Sequence, residues 1–384
     1  MSTTSVLFAP AHFAKVRLPP HEAEPLPHWA YTSPVWFERE RERIFARAWN
    51  YAGHVSQVAN PGDYITLDIA GVPLIVVRGQ DLKIRAFFNS CRHRGTKLLR
   101  GDGDCKLIRC PYHSWAYDLT GALVATPLVE EDMAGQRDKL SLHPVRLEVL
   151  DGFMLVAFDN TLPPVAQAMG SLSREWSGYD TANLVCTRRK SWEVKGNWKL
   201  WYENFNDSLH VPFVHPGTLA KQKVTGRQRA SNVETDGDYL AHFTMHAGSR
   251  GLLEEDQALG FQRLPGLTGR YTQGTYYPCL LPATLFGLTI DCVWVYELYP
   301  TAPDRTTVVA ASLFTKEQVA RSDFAAKAPA YYRRLDTIVP EDNEAVEQQQ
   351  EGLGLPVGLS GKFTHLETLC HAFDNWVLDR MVTE

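Results

Sequence analysis

Four residues able to ligate a soft metal, Cys91, His93, Cys110 and His113, sit in two short segments. These are Cys91-Arg92-His93-Arg94-Gly95 and Cys110-Pro111-Tyr112-His113-Ser114-Trp115. Each segment supplies one thiol and one imidazole. A [2Fe–2S] centre that holds one iron by two thiolates and the other by two imidazoles, the Rieske type, needs those pairs. A C-x-H loop and a C-x2-H loop folded face to face provide them. The competing occupant of a Cys2His2 set is structural zinc. Zinc modules usually place two Cys in one element and two His in another, so the split found here favours iron–sulfur. Tyr112 and Trp115 are placed to shield such a cluster from water, or to serve as ordinary core aromatics.

A second set lies in Glu203-Asn204-Phe205-Asn206-Asp207-Ser208-Leu209-His210 and Val211-Pro212-Phe213-Val214-His215. A helix is expected from about Trp198, after the Gly196-Asn197 turn. Asp207 and His210, three apart, then share a helix face. Pro212 is expected to end that helix, and the chain can turn to bring His215 back towards His210. Two imidazoles and a nearby carboxylate make a site for Fe(II) with open positions. On spacing alone the same histidines also read as satisfied polar groups.

The elements that must position these residues divide in two. An amphipathic helical pattern over Pro34–Trp49 leads into β-rich runs at Tyr64–Ile69, Pro73–Val77 and Ile84–Phe88, the last delivering the chain to Cys91. The run continues through Trp115–Asp118 and the Leu119-Thr120-Gly121 turn, and a strand at Phe153–Phe158 closes it. Pro163-Pro164 mark a boundary near 160. We expect a segment 1–45, a cluster domain 46–160 and a catalytic domain 161–384. In the last, strands at Lys190–Val194, Tyr239–Met245, Thr284–Ile290, Val293–Tyr299 and Thr306–Leu313 predict an antiparallel sheet with covering helices, an α+β fold. Helices are expected from Pro340 and over His371–Met381, and Gly352–Gly361 reads as a loop.

The bulk numbers narrow the class. A chain of 384 residues, 44% hydrophobic and 22% charged, is long enough for two cores. A net charge of −5 gives no reason to expect nucleic acid or an anionic membrane. Met1–Pro20 lacks the pattern of a secretory signal, and Ala283–Leu298, interrupted by Asp291, reads as strands and not a membrane span. Beyond the two proposed ligands, Cys105, Cys186, Cys279, Cys292 and Cys370 are expected to be reduced thiols in a cytoplasmic protein.

With these motifs in view, the chain resembles the α subunit of Rieske non-haem iron oxygenases. Respiratory Rieske proteins carry an extra Cys in each loop; here Thr96 occupies that place in the first loop and no Cys follows His113. The resemblance extends through Asn197-Trp198-Lys199, Glu203-Asn204 and His215 to Gln350-Glu351-Gly352-Leu353. It implies a helix-grip, START-like catalytic domain. It also implies that His210 and His215 bind iron, that Asp207 bridges the two centres without binding metal, and that Asp342, at the start of a helix, is the third ligand. Glu341 is the alternative by a one-residue slip. It further implies a homotrimer in which His113 of one subunit meets Asp207 of the next.

The implied activity is oxygenation of a small organic substrate, expected to be aromatic, with dioxygen. The alternative is N- or O-demethylation of a betaine-like or methylated substrate. Phe205, Leu209, Phe213, Phe286 and Trp294 are candidate pocket residues. No Gly-rich dinucleotide fingerprint follows a strand, so NAD(P)H is expected to act only through a partner flavin reductase, a ferredoxin, or both. From a different class, the chain could be a Rieske electron carrier or a ligand-binding protein without oxygenase activity.

Overall fold

The computed structural model describes residues 7–133, 135–222, 233–355 and 361–382. It divides into two units, Arg47–Val165 and a discontinuous one of Met1–Ala46 with Ala166–Glu384.

The first unit is built of antiparallel strands: β1 (Asn50–His54), β2 (Asp63–Ile69), β3 (Val72–Arg78), β4 (Ile84–Phe88), β5 (Asp102–Asp104), β6 (Ile108–Arg109), β7 (Ala116–Tyr117), β8 (Leu123–Ala125), β9 (Pro144–Leu150) and β10 (Phe153–Ala157). Among the described residues they form a sheet in the order β1-β10-β9-β4-β3-β2-β5 and a smaller one, β6-β7-β8. The β2–β3 hairpin is closed by Ala70 and Gly71, with φ of 48° and 86°. Two successive positive φ values match the right-handed twist of the flanking strands, and Asp68 Oδ1 accepts the Gly71 N–H at 2.6 Å to fix the turn. The cluster loops hang from this frame. Cys91 follows β4, and Cys110-Pro111-Tyr112-His113-Ser114-Trp115 joins β6 to β7.

In the second unit, α1 (Pro34–Arg43) starts at Ser33, whose Oγ caps the Trp36 N–H at 3.3 Å with Pro34 in the first turn. The sheet comprises β11 (Leu184–Val194), β12 (Tyr239–Met245), β13 (Gly274–Leu280), β14 (Thr284–Leu288), β15 (Val293–Ala302) and β16 (Arg305–Thr315), in the order β11-β16-β15-β14-β13-β12. The helices used below are α2 (Trp198–Asn206), α3 (Val211–Val214), α4 (Phe324–Leu353) and α5 (Thr368–Met381). Helix α4 lies against the sheet, where Phe314 of β16 meets Tyr331 with ring centres 5.1 Å apart. Helix α5 covers α2 by stacking Phe373 on Tyr202 at 3.8 Å. Glu40, fully buried in α1, accepts from Trp36 Nε1 at 2.8 Å and Trp198 Nε1 at 2.9 Å, and pairs with Lys199. A buried charge persists only when partnered in this way.

The class expected from the sequence, a β-rich first unit and a second unit of antiparallel sheet with helices, is present. Three local expectations fail. The helix expected from Pro340 starts at Phe324 and runs through both Pro329 and Pro340. Packing of its buried face outweighs the proline penalty of about 3 kcal/mol. Gly352 belongs to that helix and not to a loop, while 356–360 lie outside the described residues. The helix carrying Asp207 ends at Asn206, so Pro212 opens a second short helix instead of closing the first. No described helix is long and apolar enough to cross a membrane.

Candidate metal centres

The two cluster loops are tight turns closed on their own cysteines. Gly95 N–H donates to Cys91 O at 2.9 Å, and Cys91 N–H to Thr96 O at 2.8 Å. In the second loop Ser114 N–H donates to Cys110 O at 3.1 Å, and Cys110 N–H to Trp115 O at 2.8 Å. Gly95 and Ser114 take φ of 77° and 57°, which reverses the chain and turns each imidazole towards the other loop. Cys91 and Cys110 are buried with Ile75, Phe87, Ile108 and Leu123, while His93 is exposed and His113 half-buried. The two imidazoles present Nδ1 atoms 3.2 Å apart. Inner thiols and an outer pair of converging nitrogens fit a cluster with one iron buried and one near the surface. Trp115 stacks flat on His93 at 4.6 Å. Tyr112, expected beside it as a shield, is 61% exposed, so Trp115 alone fills the buried role. Tyr117, which the sequence did not single out, places its hydroxyl 3.4 Å from Cys91 Sγ and accepts the Arg92 N–H at 3.0 Å.

In the second unit His210, His215 and Asp342 each direct a ligand atom into one point, all within 4.8 Å of one another. Asp342 Oδ1 is 2.9 Å from His215 Nε2 and 3.6 Å from His210 Nε2. Asn204 donates to the same oxygen at 2.8 Å. Behind the rings, Glu341 Oε2 holds His215 Nδ1 at 2.7 Å and is itself held by Thr218 Oγ1 at 2.8 Å. Asp207 Oδ2 lies 3.5 Å from His210 Nδ1. The nitrogens facing inward are thus both Nε2; Glu341 hydrogen-bonds the back of the His215 ring, as metal-bound histidines require, while His210 Nδ1 has Asp207 nearby without a hydrogen bond to it. Burial works against charge on His215, but Asp342 and Glu341 outweigh it and hold the imidazole above its usual range. A group of one carboxylate and two imidazoles fits a divalent iron with free positions.

Asp207 does not share a helix face with His210. It is the extended residue after α2, and its Oδ1 accepts the Leu209 N–H at 2.6 Å. That Asx turn, not helical spacing, swings His210 beside it. Nor does Asp342 start a helix; it lies within α4. Between the two neighbouring acids, geometry divides the roles: Asp342 faces both imidazoles, and Glu341 faces the back of one.

A cavity of about 480 Å³ opens beside His210. Phe205, Leu209, Phe213 and Trp294 line it, Phe213 at the rim and 82% exposed. Phe286 does not line it. It is fully buried, with its ring 5.9 Å from Trp176. Gly287, paired with Trp294, is required there, since a β-carbon would lie 2.1 Å from the indole. Tyr277, Tyr296, His242, Arg250 and Arg334 also contribute to the lining. Arg334, Ile338 and Asp342 recur every four residues of α4 and face the cavity together.

Comparison with known families bears on both centres. A model described as the Rieske [2Fe-2S] domain matches residues 48–145, and one described as the ring hydroxylating alpha subunit catalytic domain matches residues 181–383. The chain belongs to the Rieske non-haem iron oxygenase α subunits. This oxygenase subunit is 31% identical to the carnitine monooxygenase oxygenase subunit of Escherichia coli (strain K12), covering 87% of this chain and 85% of that one. It is also 31% identical to the chloroplastic choline monooxygenase of Beta vulgaris, covering 98% and 81%. Naphthalene 1,2-dioxygenase from Rhodococcus sp. shares its fold with a TM-score of 0.79 at 20% identity, over 94% of this chain and 95% of that one. The oxygenase subunit is therefore a mono- or dioxygenase with a Rieske [2Fe–2S] domain ahead of a mononuclear iron domain.

Proposed function

We propose that Cys91, His93, Cys110 and His113 hold the cluster, that His210, His215 and Asp342 hold Fe(II), and that a small organic substrate is oxidised in the adjoining cavity. The observation that supports this most directly is the convergence of three ligand atoms at the wall of a cavity of about 480 Å³. When bound, the two metal centres supply single electrons and open coordination positions for dioxygen. The residues around them bind, orient and exclude water. Glu341 fixes the His215 imidazole, Asp207 stands beside that of His210, Asn204 steadies Asp342, and Phe205, Leu209 and Trp294 form the apolar wall against which substrate lies.

Two electrons and two protons are consumed with each dioxygen whether the product is a diol, an alcohol plus water, or a demethylated amine plus formaldehyde and water. NAD(P)H supplies the electrons through a flavin reductase, a ferredoxin, or both. In a homotrimer, His113 of one subunit meets Asp207 of the partner subunit. Ring hydroxylation is supported by the aromatic lining. A betaine-like, methylated substrate is supported by relatives named for carnitine and choline. Iron content separates this reading from a simple carrier: three irons per chain are expected, against two for a Rieske protein lacking the second site. Product mass with a surrogate reductase, NADH and dioxygen then separates the chemistries. Added oxygen on a ring assigns hydroxylation, and released formaldehyde assigns demethylation.

A further inference from the structure

Two cationic side chains in the substrate cavity have no evident purpose in holding iron. Arg250 follows β12 and Arg334 belongs to α4; they are 8% and 3% exposed. Arg250 donates to Gln222 Oε1 at 2.6 Å, and Arg334 reaches the Tyr296 hydroxyl at 3.5 Å. The Nε of each has no hydrogen-bond partner. Among the described residues no carboxylate lies within 4.0 Å of either guanidinium. The internal segments 223–232 and 356–360 contain no Asp or Glu.

A buried guanidinium without a counter-ion is costly, and each has five donors to satisfy. The surrounding groups do not relieve the cost. Burial pushes His242 and His246 down to about 4, so neither adds nor removes charge near neutral pH. Asp342 is committed to the two imidazoles, and Asp207 to His210. Tyr277 and, last and weakest, Glu254 favour the charge on Arg250, but burial and the charge of Arg334 outweigh them.

We infer that Arg250 and Arg334 form a docking site for a carboxylate on the substrate, whose other end faces His210, His215 and Asp342. A planar carboxylate accepts paired N–H donors from a guanidinium. The inference builds on the reading of this cavity as the substrate chamber and names the substrate class as a small organic acid. It disfavours a bare cation. The face of Trp294, where such a cation would rest, already carries the Arg334 guanidinium at 4.7 Å.

Calorimetric titration of the metal-loaded enzyme tests this with two matched pairs, benzoate against benzamide and L-carnitine against choline. We expect the acid to bind at least about tenfold more tightly than its partner in one pair or both, the worth of one charged hydrogen bond. Arg250→Gln and Arg334→Gln should each remove most of that preference while cluster absorption and iron content stay unchanged. Arg334→Lys, which keeps the charge but not the fork, should retain part of it. Equal affinity within both pairs overturns the inference, as does a preference that survives both glutamine variants. Inorganic phosphate binding as tightly as either acid overturns it too, by assigning the pair to anions in general. Because the titration needs no turnover, these outcomes are independent of whether iron content and product support the oxygenase reading.

Discussion

Tyr117 is where a single hydroxyl can set the cluster's electrochemistry. A hydrogen bond to Cys91 Sγ stabilises the reduced, more negative cluster and so raises its potential. Tyr117→Phe should lower the midpoint by roughly 20–60 mV, the one-electron equivalent of a hydrogen bond of about 1 kcal/mol. A spectroscopic redox titration measures it, and an unchanged midpoint would mean that the hydroxyl does not donate to sulfur. Asp207 is a positioning residue with two tasks, closing a turn on Leu209 and facing His210 Nδ1. Asp207→Ala should keep the cluster spectrum and lower turnover about 10–100-fold. Asp207→Asn, which still accepts the Leu209 N–H, separates the turn from the charge. Near-normal turnover in the alanine variant would remove Asp207 from electron transfer and from the support of His210. The residues that announced themselves in the sequence were those whose ligands lie within a few positions of each other: Cys91 with His93, Cys110 with His113, His210 with His215. Asp342 stands far along the chain from them and was reached only through resemblance. Arg250 and Arg334 gave no signal, because an arginine in a charged stretch such as Tyr332-Arg333-Arg334 reads as a solvated face until its burial is seen.

At the level of elements, the strands β2, β3, β4 and β12 were legible from alternation and punctuation. Strand β13 was not, since Gly274 and Pro278 disguise a segment that only its pairing with β12 makes extended. The start of α4 was misjudged because proline marks a local preference that a well-packed face overrides, and the end of α2 because the Asp207 turn stops the helix ahead of Pro212. The α2–α5 layer also stores a titration. Glu203 in α2 is half-buried beside the fully buried Asp374 of α5, and desolvation raises its carboxyl to about 7, against opposing help from the Tyr31 hydroxyl and the charge of Lys199. The folded chain therefore holds a proton that the unfolded chain releases near 4.5. This contribution is complete below about pH 4.5 and is lost as pH rises towards 7. Glu203→Gln should flatten that slope, so that melting curves between pH 5 and 8 show the variant gaining on the parent as pH rises. Parallel curves would place the titrating proton elsewhere.

For the molecule as a whole, the proposed trimer makes a demand that no single subunit meets, since each iron would draw on a neighbour's cluster. Co-expression of Cys110→Ser with His215→Ala, each inactive alone, should restore about a quarter of parental turnover in randomly mixed rings, because half of the irons are intact and half of their neighbours carry a cluster. Mixed rings without activity would confine electron transfer to one chain. A last consequence comes from the stripe of Arg334, Ile338 and Asp342 along α4. The point that would grip an acid and the point that would oxidise it are marks on one rigid rod, eight residues and about 12 Å apart. Helix α4 is then a ruler, and the carbon it selects is counted from the carboxylate. Moving the mark by one turn, with Arg334→Ile and Ile338→Arg together, should shift the oxidised position about 6 Å closer to the acid group, readable in the regiochemistry of the product.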